Sequence, residues 1–174
     1  MSKWVKEASN KIETIKNNFP GYVLVGVHIR KKDYKNFLGG KYYYDYEVYK
    51  KRMEEVARLI QGQTLFIIFS DEKVEREQLI NEQIYQIVIS SNAAIIDMIM
   101  MSHCDYLIGP PSTFSGWSSF WGEVPKHIMV DGDTPITSLD VHNFGIYMID
   151  IIDNKEDETG RKIITPLYAS RIER

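Results

Sequence analysis

Short apolar runs separated by polar segments predict a series of buried strands along this chain. Each run is too short for an ordinary helix and is bounded by turn-forming or charged residues, which is typical of strands covered on both faces. The predicted strands span residues 22–29, 64–69, 83–89, 105–108 and 127–130, with a last candidate at 147–152. A polar loop is expected at 153–162.

Several segments between these strands have the spacing or composition of helices. The predicted helices span residues 3–18, 46–61, 73–81, 93–102 and 113–121. Asp45 and Asn92 are the expected N-cap residues of two of them. The 93–102 helix is apolar on nearly all sides, with Asp97 as an interruption, so we expect it to be buried.

Strands that alternate with helices predict an α/β protein with a three-layer, Rossmann-like parallel sheet and helices on both faces. At 174 residues, with 44% apolar and 26% charged residues, the whole chain 1–174 is expected to form a single globular domain. The net charge of -3 does not favour a nucleic-acid partner. A single cysteine, Cys104, excludes an intrachain disulfide and is expected to be a buried, inert thiol.

Cellular location follows from two further features of the sequence. Cysteine usage fits a reducing compartment. No apolar run approaches the length of a membrane span, and no amino-terminal signal peptide is visible. We therefore expect a cytoplasmic protein, which could still lie against a membrane through a partner.

Polar clusters follow three of the predicted strands, at the carboxyl end of each. The clusters are His28/Arg30/Lys31/Lys32/Asp33, Ser70/Asp71/Glu72 and Ser112/Thr113/Phe114/Ser115. The carboxyl ends of parallel strands meet at one edge of a sheet, where open α/β sheets bind their ligands. The three clusters therefore predict a binding crevice at this edge.

Two of the clusters have the chemistry of a phosphate site. The guanidinium of Arg30, with lysines behind it, suits a phosphate or pyrophosphate group. Ser112 or Thr113 would begin a helix whose free N–H groups favour an anion. The alternative for these hydroxyls is an ordinary helix N-cap.

The remaining candidates are open to two interpretations each. Asp71 and Glu72 suit a ribose hydroxyl or the two N–H donors of guanine, or Asp71 caps the next helix. His28 is either a core histidine or a ligand contact. Asp33 could act as a base, or it could orient Arg30 and Lys31 by ion pairing. The four histidines lack metal-ligand spacing, so no metal site is expected.

Three segments, VGVHIRKKDY at residues 25–34, FSDE at 69–72 and STFSGW at 112–117, carry a resemblance when taken together. The first is similar to the "VHxRRGDY" segment and the second to the "FSDD" segment of the α-1,2-fucosyltransferases and their O-fucosyltransferase and nodulation-type relatives. The segment from Asp97 to Cys104, continued by residues 112–117, STFSGW, resembles "DLxLMSxC…NSTFSWW". The resemblance covers about residues 22–122.

This resemblance implies the donor-nucleotide domain, the carboxyl-terminal half, of a glycosyltransferase B fold. It implies inverting transfer of fucose from GDP-fucose to a glycan acceptor, with no metal and no other cofactor. Arg30 would hold the β-phosphate with Lys31 beside it, and His28 would frame the nucleotide or the sugar. Asp71 or Glu72 would bind guanine, and Ser112, Thr113, Phe114 and Ser115 would surround the phosphate and ribose. Asp33 is the best candidate for a catalytic base.

The sequence departs from the family pattern at four positions, where Lys31, Lys32, Pro111 and Gly116 replace Arg, Gly, Asn and Trp. These departures leave another nucleotide sugar open as the donor. The amino-terminal acceptor domain of the family is expected to be missing, so the chain would be an excised domain or a half that needs a partner. The alternatives to a transferase are a non-catalytic nucleotide- or phosphate-binding module and a structural α/β domain.

Overall fold

Five parallel strands form the central sheet of the computed structural model, which describes residues 2–139. Their order across the sheet is β3-β2-β1-β4-β5. The strands are β1 (Val23–Ile29), β2 (Thr64–Ser70), β3 (Gln86–Ile89), β4 (Tyr106–Gly109) and β5 (Lys126–Ile128). The predicted parallel α/β fold is thereby confirmed. The predicted strand at 147–152 and the loop at 153–162 lie outside the described residues.

Side chains alternate between the two faces of the sheet, and each face has its own hydrophobic core. Val25, Val27 and Ile29 of β1 pack on one face, while Leu24 packs on the other. Neighbouring strands are in register, with Val27 opposite Ile68 of β2. Because β1 is buried on both faces, its sequence is a nearly continuous apolar run.

Four helices of eight residues or more cover these faces within residues 2–139. They are α1 (Lys3–Asn18), α2 (Tyr46–Leu59), α3 (Ala94–Met101) and α4 (Thr113–Gly122). Met53 and Val56 of α2 belong to the core on one face. Ala8 and Ile12 of α1 and Met100 of α3 belong to the core on the other. The structure therefore has the predicted three layers.

The predicted helix at 73–81 is wrong, because the chain forms only a 3-10 turn there, Arg76–Gln78. Val74 and Leu79 are the buried apolar anchors of this segment. They are five positions apart, so they do not lie on one face of an α-helix. Without an apolar stripe facing the core, a short polar helix has little to stabilise it.

Three details of the helix and loop boundaries also differ from expectation. The N-cap of α3 is Ala93, because the Asn92 amide instead donates to Ser90 Oγ at 2.8 Å. Helix α3 is not buried on all sides, since Ile95 is 37% exposed. The N-cap of α2 is Asp45 as predicted, although its side chain forms no capping hydrogen bond.

Candidate functional site

The strand order creates one point in the sheet where the direction of winding reverses. From β1 the chain moves to β2 on one side, and β4 lies against β1 on the other side. Open α/β sheets bind ligands in the crevice at this reversal, outside the carboxyl ends of the strands. Here β1 ends at Ile29 and β4 ends at Gly109. The first and third predicted clusters therefore flank the crevice, as a binding site requires.

A close backbone approach joins β1 to β4 at the base of this crevice. A Cβ atom added to Gly109 would lie 2.6 Å from the carbonyl oxygen of His28. The φ angle of Gly109 is +157°, which a side chain would also disfavour. Glycine at this position lets the loop after β4 start directly beside His28.

Arg30 lies at the mouth of the crevice, held by two carboxylates. Its Nη2 is 2.5 Å from Asp33 Oδ1, and its Nε is 3.4 Å from Asp71 Oδ2. The Tyr34 ring packs against the guanidinium, 5.1 Å from Cζ to ring centroid. The side chain of Arg30 is 23% exposed, so solvent and a ligand can still contact it. The structure thus places Asp33 as an ion-pair partner of Arg30, which was one of its two predicted roles.

Tyr34 connects the Arg30 segment to the loop that precedes α4. Its hydroxyl donates a hydrogen bond to the backbone carbonyl of Pro111 and lies close to the Ser112 side chain. The tyrosine is buried, so this contact is shielded from water. Sequence reasoning missed the role of Tyr34, although the residue belongs to the 25–34 segment that carries the resemblance.

The amino terminus of α4 provides the second wall of the crevice. Its N-cap residue, Ser112, has extended backbone and forms no side-chain capping bond, while its carbonyl accepts from Gly116 N–H at 2.9 Å. The first N–H groups of a helix have no partner within the helix and favour an anion. Thr113 begins the helix and is exposed. This geometry suits a phosphate group at Ser112 and Thr113.

His28 is buried between the strand end and α4. Its ring packs on Phe114 with 5.4 Å between centroids, and its Nδ1 has no hydrogen-bond partner among the described residues. Burial, with the positive charges of Lys126 and Arg30, lowers the pKa of His28 well below its usual range. A neutral imidazole with a free Nδ1 can accept or donate a single hydrogen bond, which suits a polar ligand.

Ser115 faces the protein interior and not the open crevice. It is fully buried, and its Oγ accepts a hydrogen bond from the ammonium of Lys126 at 2.7 Å. The same ammonium lies 3.4 Å from the carbonyl oxygen of Pro110. Burial lowers the pKa of Lys126 to about 7. Sequence reasoning missed Lys126 because the predicted strand began one residue later, although a lysine bordering an apolar run was a visible signal.

Lys31, Asp71 and Glu72 lie on the β2 side of Arg30. The Lys31 ammonium is buried against the Tyr43 and Tyr46 rings, 4.4 and 4.6 Å from their centroids. Asp71 Oδ1 accepts from the Lys31 backbone N–H at 3.0 Å, and Glu72 Oε1 accepts from the Tyr46 hydroxyl at 2.9 Å. Their donor-binding roles stay predictions.

A further buried carboxylate, Asp97, lies near the end of β3. Its Oδ1 accepts from Ser90 Oγ at 2.5 Å and lies 3.3 Å from Asn92 Nδ2. Burial raises its pKa above the usual range. An aspartate inside an otherwise apolar helix was the sequence signal, but it was not assigned to the site.

No helix within residues 2–139 is long and apolar enough to cross a membrane.

Comparison with solved structures connects this fold to glycosyltransferases. A glycosyltransferase of family 9 from Veillonella parvula superposes with a TM-score of 0.52 at 16% identity, over 84% of this chain and 39% of that protein. The fucosyltransferase NodZ from Bradyrhizobium gives a TM-score of 0.49 at 18% identity, over 74% of this chain and 45% of that protein. A NodZ α-1,6-fucosyltransferase soaked with GDP-fucose gives a TM-score of 0.45 at 18% identity, over 79% of this chain and 45% of that protein.

These similarities concern the architecture of the chain. The superposition on the family 9 glycosyltransferase shows a shared α/β fold at low identity. The chain spans less than half the length of each of these proteins. No protein-family model and no curated protein matches the sequence.

Proposed function

We propose that this chain is the donor-binding domain of a glycosyltransferase, transferring fucose from GDP-fucose to a glycan acceptor with inversion and without a metal. The observation that carries the proposal is the crevice between β1 and β4. Arg30 and the amino terminus of α4 flank it, and the Nδ1 of His28 at the end of β1 has no hydrogen-bond partner among the described residues. A cation and free helix N–H groups at a switch point are suited to a diphosphate. The choice of fucose as the sugar and guanine as the nucleobase rests on the three segments that resemble fucosyltransferases.

The reaction would break the bond between the anomeric carbon of fucose and the β-phosphate oxygen. An acceptor hydroxyl attacks the anomeric carbon from the opposite face, its proton passes to a base, and the bonding electrons stay on the departing GDP. Negative charge therefore grows on the β-phosphate, where Arg30 and the first N–H groups of α4 would stabilise it. Fixed donors of this kind need no metal to bind the leaving group.

Asp33 is the proposed base, although in the free protein it pairs with Arg30. When a phosphate takes over the guanidinium, the Asp33 carboxylate is released at the mouth of the crevice. The Asp33 side chain is 61% exposed, so the carboxylate is accessible from solvent, where an acceptor would approach. A second domain, as the sequence resemblance implies, would have to supply the acceptor surface.

Calorimetric titration with GDP, GDP-fucose, UDP and ADP, without metal, tests the donor assignment. The proposal predicts selective binding of the guanine nucleotides and a loss of binding in Arg30→Ala with an unchanged melting temperature. Lys6→Ala, at an exposed position on α1, is the matched control. Preferred binding of UDP or ADP would contradict fucose as the sugar, and full affinity in Arg30→Ala would contradict the site.

A non-catalytic nucleotide-binding module is the second candidate function. It is favoured by one observation, that Asp33 and Asp71 both contact Arg30 in the free protein, so neither carboxylate is poised as a base before a ligand binds. This alternative predicts tight GDP binding but no release of GDP from GDP-fucose by the protein with its acceptor domain. Acceptor-dependent GDP release that is abolished in Asp33→Asn would exclude it.

A further inference from the structure

Lys126 is a buried cation without a counter-charge in the part of the chain that the structure describes. Only 3% of the residue is exposed, and its ammonium contacts two neutral oxygens, Ser115 Oγ and the Pro110 carbonyl. None of the ion pairs formed by residues 2–139 includes it. An uncompensated buried charge is unfavourable, and titratable groups perturbed by burial cluster at functional sites.

The position of this ammonium relates it to the crevice. Lys126 begins β5 opposite Leu107 of β4, on the face that α4 covers. Its contacts with Pro110 and Ser115 place the charge directly beneath the loop and first turn that form one wall of the site. An anion bound at Ser112 and Thr113 would therefore lie above an ammonium group that has no counter-charge among the described residues.

We propose that Lys126 is a positioning residue whose counter-charge is the bound diphosphate, so that binding of the nucleotide is accompanied by proton uptake at Nζ. This inference rests on the proposed function, because it requires an anion at the α4 terminus. In the free protein burial lowers the pKa of Lys126 to about 7, so the amine titrates near neutral pH. A diphosphate nearby favours the charged form, and the proton comes from the buffer.

The groups around Lys126 support assignment of the proton to it. The loop after β4 and helix α4 contribute neutral contacts, the Pro110 carbonyl and the Ser115 hydroxyl. His28 on β1 is the titratable group that interacts with Lys126, and its own pKa lies well below the usual range. Removing Lys126 would relieve one of the charges that depress the pKa of His28, so the experiment must separate the two groups by pH.

Calorimetric titration with GDP in two buffers of different ionisation enthalpy measures the proton uptake directly. Near neutral pH the wild-type chain is expected to take up a measurable fraction of a proton more per bound GDP than Lys126→Met. The affinity of the variant should fall on the order of tenfold, because a nearby charge is lost in a poorly solvated site. Lys16→Met, at an exposed position on α1, is the matched control and should behave as wild type.

The outcomes separate this inference from the proposed function. Equal proton uptake in wild type and Lys126→Met, with GDP bound by both, would overturn the inference and leave the donor site intact. No GDP binding by the wild-type chain would overturn both. An uptake difference that vanishes by about pH 5.5, where Lys126 is charged before binding, supports Lys126. A difference that instead grows towards that pH assigns the proton to His28 and overturns the inference.

A measurement on the wild-type protein covers the case in which Lys126→Met does not fold. Lysine ¹³Cε resonances followed by NMR should include one that titrates near neutral pH in the free chain. Addition of GDP should move that midpoint upward by about a pH unit or more. The absence of a lysine titrating below about pH 9, or a midpoint that GDP leaves unchanged, would overturn the inference.

Discussion

Replacing Asp33 by asparagine should tighten binding of GDP. In the free protein the Asp33 carboxylate is 2.5 Å from Arg30 Nη2, so a phosphate must compete with it for the guanidinium. The side-chain amide introduced by Asp33→Asn would be neutral and would compete less. Arg30 keeps its second partner, Asp71, at 3.4 Å, which continues to orient the side chain.

The size of the effect follows from the exposure of the pair. Asp33 is 61% exposed and Arg30 is 23% exposed, so water and salt screen most of the attraction between them. Pairs of this kind contribute about 0.2–1 kcal/mol. Removing the competition should therefore improve the affinity for GDP by about 1.4-fold to 5-fold.

Calorimetry at low salt, where screening is weakest, is the appropriate assay. Glu13→Gln on α1 makes the same change in net charge at an exposed position and should leave the affinity unchanged. The gain in Asp33→Asn should shrink as salt is added. Weaker binding in Asp33→Asn would refute the reasoning, because it would mean that Asp33 itself contacts the ligand or is needed to hold Arg30 in place.

Three further predictions concern stability. Tyr34→Phe leaves the Pro111 carbonyl without its buried donor, so urea unfolding should show a loss of about 1–3 kcal/mol; an unchanged midpoint would contradict the hydrogen bond. Gly122→Ala would bring a Cβ into overlap with the Ser102 carbonyl oxygen, where α4 meets α3, and should cost roughly 1–3 kcal/mol in the same assay. In the unfolded chain Lys126 titrates near pH 10.5 but in the folded chain at about 7, so between these values the unfolded state binds more protons. The stability of wild type relative to Lys126→Met should therefore rise with pH across this window, by at most about 1.4 kcal/mol per unit, and a difference independent of pH would contradict the buried amine.

Much of the fold could be read from local patterns. The strand at 22–29 and the helix that begins at residue 46 were predictable because burial of one face or both faces imposes a period that is visible within about ten residues. The helix predicted at 73–81 was wrong because this segment has no such period. Its buried residues, Val74 and Leu79, are held by distant parts of the core and are not at helical spacing. A periodic pattern of apolar residues predicts an element only where the buried side chains of that element are themselves periodic.

The candidate site could be predicted by residue type but not by pairing. Arg30 and the α4 terminus were identifiable because charged and hydroxyl residues ended apolar strands. Ion pairing of Asp33 with Arg30, three residues away, was one of two roles open from the sequence. The contact of Arg30 with Asp71 could not be predicted, because it depends on β2 lying beside β1. Lys126 could not be connected to Ser115, since that contact depends on α4 covering β5.

Local sequence pattern was sufficient to identify a parallel α/β protein with polar groups at the carboxyl ends of its strands. These properties depend on periodicity and on the order of neighbouring residues, which are local. The tertiary structure alone decided that β1 and β4 are neighbours, and therefore that Arg30 and the α4 terminus face one crevice. It also decided which of the described charges are paired and which, like Lys126, are not, because burial and long-range contact set the energy of a charge.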